Sequence, residues 1–195
     1  MKTLLKLSSF ALFGMLVLSC AQKTVTRVSP DQQIDLSGRW NDVDSRLVAE
    51  EMTRDMINRP WRNRFIDRTG KTPVIIVGII QNRSHEHIEA TTFIRNIERE
   101  LINTGTVRVV QNDVFRDKMR EERADQQQFA TLDTQKRWGR ELGADYMLFG
   151  DINSIVDQEG KRKVTFYQVN MELSDLETNE KVWLGEKQLK KYIRN

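Results

Sequence analysis

Pro73-Val74-Ile75-Ile76-Val77-Gly78-Ile79-Ile80 is a continuous apolar run, rich in branched side chains and bounded by Gly70 and Asn82. A run this short and this β-branched reads as a central strand buried on both faces. Thr91 or Thr92 then caps a helix that carries Phe93, Ile94, Ile97, Leu101 and Ile102 on one side and ends at Asn103-Thr104-Gly105. Thr106-Val107-Arg108-Val109-Val110 follows as a second, short strand. Strand, helix and strand in that order form a parallel crossover, right-handed by the usual chirality.

Further toward the C-terminus, Asn112 starts a helix with Val114, Phe115 and Met119. It runs into Arg120-Glu121-Glu122-Arg123-Ala124-Asp125-Gln126-Gln127-Gln128, either the solvated end of that helix or a loop. A short helix from Thr131 or Asp133 is expected to bury Trp138 and Leu142 and to stop at Gly143. Ala144 to Gly150 is a second apolar strand that continues to Ile155, and Asp157-Gln158-Glu159-Gly160 is a hairpin turn. From Thr165 the pattern alternates, with Tyr167, Val169, Met171 and Leu173 on one face and Gln168, Asn170, Glu172 and Ser174 on the other. One wet face marks antiparallel pairing. Leu176 to Glu180 turns back into Lys181-Val182-Trp183-Leu184-Gly185, the last strand expected. The fold class is α/β (α+β): a mixed sheet with a βαβ crossover and a C-terminal antiparallel meander, helices packed upon it.

Upstream of the central strand, Val43, Leu47, Val48, Met52 and Met56 recur at helical spacing, with Asp42 or Asp44 placed to cap the helix start. That helix should stop near Asn58, because Pro60 lacks an amide donor and disfavours a helical residue before it. Arg59-Pro60-Trp61-Arg62-Asn63-Arg64-Phe65 mixes cations with aromatics. It serves as a partner-binding or headgroup-facing patch, or else its arginines satisfy carbonyls at the helix end while Trp61 and Phe65 close the core.

At the N-terminus, Lys2 and Lys6 precede an uncharged core from Leu7 to Leu18, and Leu16-Val17-Leu18-Ser19-Cys20 closes it. This is a signal peptide whose cut falls before the single cysteine, the bacterial lipoprotein pattern. A thiolate is nucleophilic enough to accept a lipid as a thioether. One acyl chain holds a protein to a bilayer marginally and two or three hold it firmly, at about 0.8 kcal/mol per buried methylene. Residues 1–19 are therefore the leader, 20–38 a polar tether, and 39–195 a single globular domain, long enough for a sizeable core.

Removing Met1–Ser19 takes away two lysines and no acid, so the formal charge falls from +3 to +1 and offers no electrostatic case for nucleic acid. Acylated Cys20 leaves no thiol for a disulfide, a nucleophile or a metal. Gly70-Lys71-Thr72 imitates a phosphate loop, but it precedes a strand and has Phe65 where the first glycine belongs. His85-Glu86-His87 holds the only two histidines and reads as a solvated loop rather than a metal site. No serine lies in a nucleophile elbow, and Asp145 and Asp151 read as strand-end caps. No catalytic residue, metal or cofactor is assigned. The candidate partner contacts are Arg59, Trp61 and Arg62 in the cationic stretch, and Glu121, Glu122, Arg123, Gln126 and Gln127 in the polar tract.

Cys20, the stretch Ser37 to Glu50, Glu121 to Gln127, Leu142-Gly143-Ala144-Asp145-Tyr146 and Asp175 to Trp183 together resemble the LpoB family of penicillin-binding-protein activators. TolB amino-terminal domains and CsgG-like secretion lipoproteins look similar around Leu142 to Tyr146. The LpoB resemblance implies an outer-membrane lipoprotein facing the periplasm, probing for a class A penicillin-binding protein (a bifunctional glycosyltransferase/transpeptidase), which it binds and stimulates without catalysis of its own. Ala21 fits outer-membrane sorting, and a monomer is expected. The tether departs from the family, whose members carry a long proline-rich arm. The other reading is a structural or secretion-linked envelope lipoprotein, for which a pore former would need an extra amphipathic hairpin. Protein extracted from membranes should weigh more than the chain cut before Cys20 by the mass of its acyl groups; an unmodified thiol at position 20 refutes the anchor.

Overall fold

The computed structural model of this chain describes residues 25–30, 32–129 and 141–194. The leader, Cys20 and the short helix expected at Thr131 or Asp133 with Trp138 lie outside the described residues. Two compact units divide at Gln33 and Ile34, and the second carries the fold.

Asn41 opens the first helix, α1 (Asp42–Ile57), through a reciprocal capping box. Its side chain accepts from the Asp44 amide at 3.0 Å, and Asp44 accepts from the Asn41 amide at 2.9 Å. The cap is thus Asn41, one residue before Asp42 and three before Asp44. Val48, Ala49, Met52 and Met56 form its buried stripe, whereas Leu47 is exposed. Pro60 ends the turn and starts α2 (Trp61–Thr69), a helix where the sequence analysis assigned no element. β1 (Val74–Arg83) follows, then α3 (Ala90–Thr104), capped by Glu89 accepting from the Thr91 amide at 3.1 Å rather than by a threonine. After β2 (Arg108–Val110), α4 (Asp113–Phe129) takes in the polar tract as helix. Leu142 stands exposed outside any helix. The chain closes with β3 (Tyr146–Glu159), β4 (Arg162–Asp175) and β5 (Lys181–Arg194).

These strands form one mixed sheet in the order β2-β1-β3-β4-β5. β1 pairs parallel with β2 and β3; β3–β4 and β4–β5 are antiparallel. The hairpin turn is only Gly160-Lys161, tighter than expected, because β3 continues to Glu159. β5 runs nine residues past the expected end at Gly185.

The inward face packs Ile75, Val77, Leu148, Ile152, Val169, Met171 and Leu173 against Met52 and Met56 of α1 and Phe93, Ile97 and Leu101 of α3. All four inward residues expected in β4 are buried. β1 departs from the expectation of two dry faces: its register shifts between Val77 and Ile80, and Ile79 is turned out at 73% exposure. A bulge of this kind re-aims a side chain where the ladder is interrupted.

Gly150 lies so close to β4 that a Cβ there would sit 2.1 Å from the Asn170 carbonyl oxygen and 3.0 Å from Met171 Cα. Backbone cannot yield as a side-chain tip does. Gly150→Ala should cost about 2 kcal/mol and lower Tm by roughly 4–8 °C. Gly143→Ala, which meets open space, should melt close to the wild type in the same circular-dichroism scan.

Candidate functional site

The cationic stretch and the polar tract both lie near the end of the sheet where β3 begins. In α2, Trp61 and Phe65 pack edge-on against Tyr146, the first residue of β3, with ring centroids 5.1 and 5.6 Å away. Trp61 is 1% exposed and its indole N–H donates to the Met56 carbonyl at 2.7 Å. It is a core residue and closes the end of α1, so it is unavailable as a partner contact. Arg59 is exposed and pairs with Asp55, while Arg62 is half-buried and reaches the Asn63 side chain at 3.4 Å. Among the described residues these arginines make no bond to a carbonyl of α1; Arg59 answers a carboxylate one turn back.

Asp55 also accepts from the Trp183 indole of β5 at 2.8 Å. Burial works against its ionised form, but the indole N–H and the Arg59 guanidinium outweigh it and hold the carboxyl below its ordinary range.

In α4, Glu121 and Glu122 are exposed and Arg123 is half-buried. Arg120 grips Glu141 through two bonds of 2.9 and 2.8 Å, and Arg123 adds a third contact at 3.3 Å. The Arg120 guanidinium holds Glu141 below the usual carboxylate range. This cluster ties the later turns of α4 to the segment leading into β3. Gln126 and Gln127 belong to the same helix. Phe115, expected on an apolar side, is 39% exposed and lies under the Arg95 guanidinium at 4.9 Å.

The outward face of the sheet holds a feature that the sequence reading missed: a groove of about 900 Å³ lined by Ile79, Met147, Phe149 and Leu184, with Arg116 and Asp151 among its polar walls. The alternation of Met147 and Phe149 with Leu148 was the available signal, masked by the expectation that the central strand is buried on both faces. Asp151 accepts from Asn153 and, at 3.0 Å, from Asn170, within a row of amide and carboxylate side chains. Asp145 caps β1 by accepting from the Val74 amide at 2.8 Å. His85 bonds Ser154 through both its amide and its ring Nδ1, fastening the loop after β1 to β3. No group of three or more metal-ligating side chains is found among the described residues.

At the opposite end of the sheet, Lys191 of β5 gathers the chain that leads into α1. Its ammonium meets Asp44 at 2.6 Å, Asp35 at 2.9 Å and the Arg39 carbonyl at 2.9 Å. Burial opposes its charge, and the two carboxylates more than offset that, raising its pKa. Gly38, at φ +65°, lies against Ile193 where a Cβ would fall 2.3 Å from Cγ1. Nearby, Trp40 donates its amide to Glu86 at 3.0 Å and packs edge-on against Tyr167. Burial pushes the Tyr167 phenol up, and the adjacent Glu86 carboxylate adds to the effect.

These elements define a mixed α+β domain whose described surface offers ion-paired helix ends and a shallow apolar groove. The family model for the peptidoglycan-synthase activator LpoB matches residues 44–189, and the chain belongs to the LpoB family. Among solved structures it is similar to the LpoB C-terminal domain from Salmonella enterica, at 16% identity over 72% of this chain and 97% of that one, with a TM-score of 0.38. It is also similar to Escherichia coli LpoB solved by NMR, at 14% identity over 92% and 84%, with a TM-score of 0.41. A further likeness is to lipoprotein GNA1162 from Neisseria meningitidis, at 13% identity over 62% and 83%, with a TM-score of 0.41. No curated protein matches the chain.

Because the Asp55 pKa is depressed, its contribution to stability is complete above the unfolded value of about 4 and is lost as pH falls through the folded value. Thermal melts from about pH 5 downward should therefore show a smaller acid loss in Asp55→Asn than in the wild type. Parallel curves would remove Asp55 from the acid response.

Proposed function

We propose that this chain is an envelope lipoprotein that binds and activates a class A penicillin-binding protein. The observation that carries the reading is the family match over residues 44–189. Its leader, Met1–Ser19, is removed and Cys20 carries the lipid, holding the protein at the outer membrane with its domain in the periplasm. No helix among the described residues is long and apolar enough to cross a membrane, and the anchor is assigned to the lipid on Cys20. The protein regulates peptidoglycan synthesis by docking and has no chemistry of its own.

The proposed docking surface comprises the exposed and half-buried members of the two candidate patches: Arg59 and Arg62, and Glu121, Glu122 and Arg123, with Gln126 and Gln127 further along the same helix. Support for this choice comes from position. Both patches lie toward the start of β3, and the chain running back to Cys20 joins the domain at the other end, beside Lys191 and Ile193. A lipid-held protein that presents its anchored end to the membrane turns such patches toward a synthase.

The wild-type mature chain should retain the organism's class A penicillin-binding proteins in a pull-down and speed glycan polymerisation. Charge reversal, as Arg59→Glu with Arg62→Glu or as Glu121→Lys with Glu122→Lys and Arg123→Glu, should weaken retention by about tenfold or more while leaving Tm within a few degrees. A wild-type chain without binding or stimulation rejects the function, and unmoved affinity in both variants rejects these faces.

A further inference from the structure

The three antiparallel strands continue past the layer of helices. Thr165 is fully buried, whereas Val156, its partner in β3 on the same inward side, is 37% exposed. Next to this level and beyond it, the outward side of the ribbon carries Ile155, Phe166, Val164 and Tyr192. Ile155 is opposite Phe166 and Val164 opposite Tyr192. Ile155 and Tyr192 are 66% and 61% exposed, large apolar surface at the rim of a sheet.

Cations surround this patch. Lys190 is opposite Phe166, Arg194 opposite Arg162, and Lys161 occupies the turn. Glu159 is paired with Arg162 at 2.9 Å, leaving Asp157 as the other acid in the turn region. Lys161, Lys163, Lys190 and Arg194 form no ion pair among the described residues. Aromatic and branched side chains ringed by lysine and arginine suit the interfacial zone of a bilayer, where rings sit at headgroup level and cations meet phosphates.

The route of the chain supplies the second observation. Asp35 and Gly38 are held against Lys191 and Ile193 of this same ribbon. Fifteen peptide units separate Cys20 from Asp35, at most about 50 Å when fully extended. On the reading that Cys20 is lipidated, the ribbon is the part of the domain fastened nearest the bilayer, and the anchor raises its effective concentration there.

We infer that the end of the β3–β4–β5 ribbon lies on an anionic bilayer surface, with Ile155, Phe166 and Tyr192 in the interface and Lys161, Lys190 and Arg194 on lipid phosphates. The helical patches at the start of β3 then point away from the anchoring membrane.

The test uses the mature chain with Cys20→Ser, so that no lipid contributes, sedimented with vesicles of phosphatidylethanolamine and phosphatidylglycerol or of phosphatidylcholine alone. Partition should be about tenfold or more stronger on the anionic vesicles and should collapse in high salt. The triple variant Lys161→Glu, Lys190→Glu, Arg194→Glu should lose it, and Tyr192→Ser should reduce it. Hydrogen exchange of the unaltered chain should slow at 155–166 and 188–194 on anionic vesicles, a readout independent of how any variant folds. Equal partition on both vesicle types, or unchanged exchange in those segments, overturns the inference. Synthase stimulation measured in detergent solution is separate: if it fails while partition persists, the proposed function falls and the membrane face stands.

Discussion

The structure depends on drying one face of a sheet. Ile75, Leu148, Ile152, Val169 and Leu173 are fully or almost fully buried, and they are so because α1 and α3 lay Met56, Ile97 and Leu101 across them. Each such side chain contributes about 1.5–3 kcal/mol over leaving it in water. Side chains alternate along a strand, so a slip of one residue would wet the whole inward set. Burial on one side thereby fixes the register of every strand and leaves the other side free to carry Asp151, Asn170 and Glu172 beside an apolar groove.

Much of this was legible in the residues, and the gaps have physical causes. The central run, the stripe of α1 and the alternation of β4 were clear because burial there is decided by local pattern. The end of β5 was not. Lys187 and Lys191 fall on the inward face, where a pattern reading takes lysine as the end of a strand. Their carboxylate partners, Glu51 and Asp44, come from α1, far away in sequence. Trp61 stood between two readings: among arginines it looks like a contact residue, and the Met56 carbonyl and the Tyr146 ring decide for the other, in which it closes the core. The outward groove was hidden by the extra residue in β1 that turns Ile79 to solvent.

Charge in this domain is used mainly for fastening. The Asp55 carboxylate joins α1 to β5 through Trp183, Asp145 joins β3 to β1, and Glu141 joins α4 to the approach of β3. In each, a carboxylate accepts from a donor on another element, the geometry in which charged groups contribute most. Scattered acids that a sequence reader assigns to the solvent are in several places the stitches between layers. That leaves the helix corners and the sheet rim as the surfaces still offering charge to other molecules.

The hold of Lys191 on Asp35 and Arg39 has a mechanical meaning. Any pull transmitted from an anchored amino terminus enters the domain at this strap. The strap is short, polar and laid on the last residues of one edge strand, while the sheet behind it is cross-linked by many backbone bonds in parallel. Tension would peel the strap before it sheared the strands, so the protein carries its own weak link just outside its core and keeps its working shape under load.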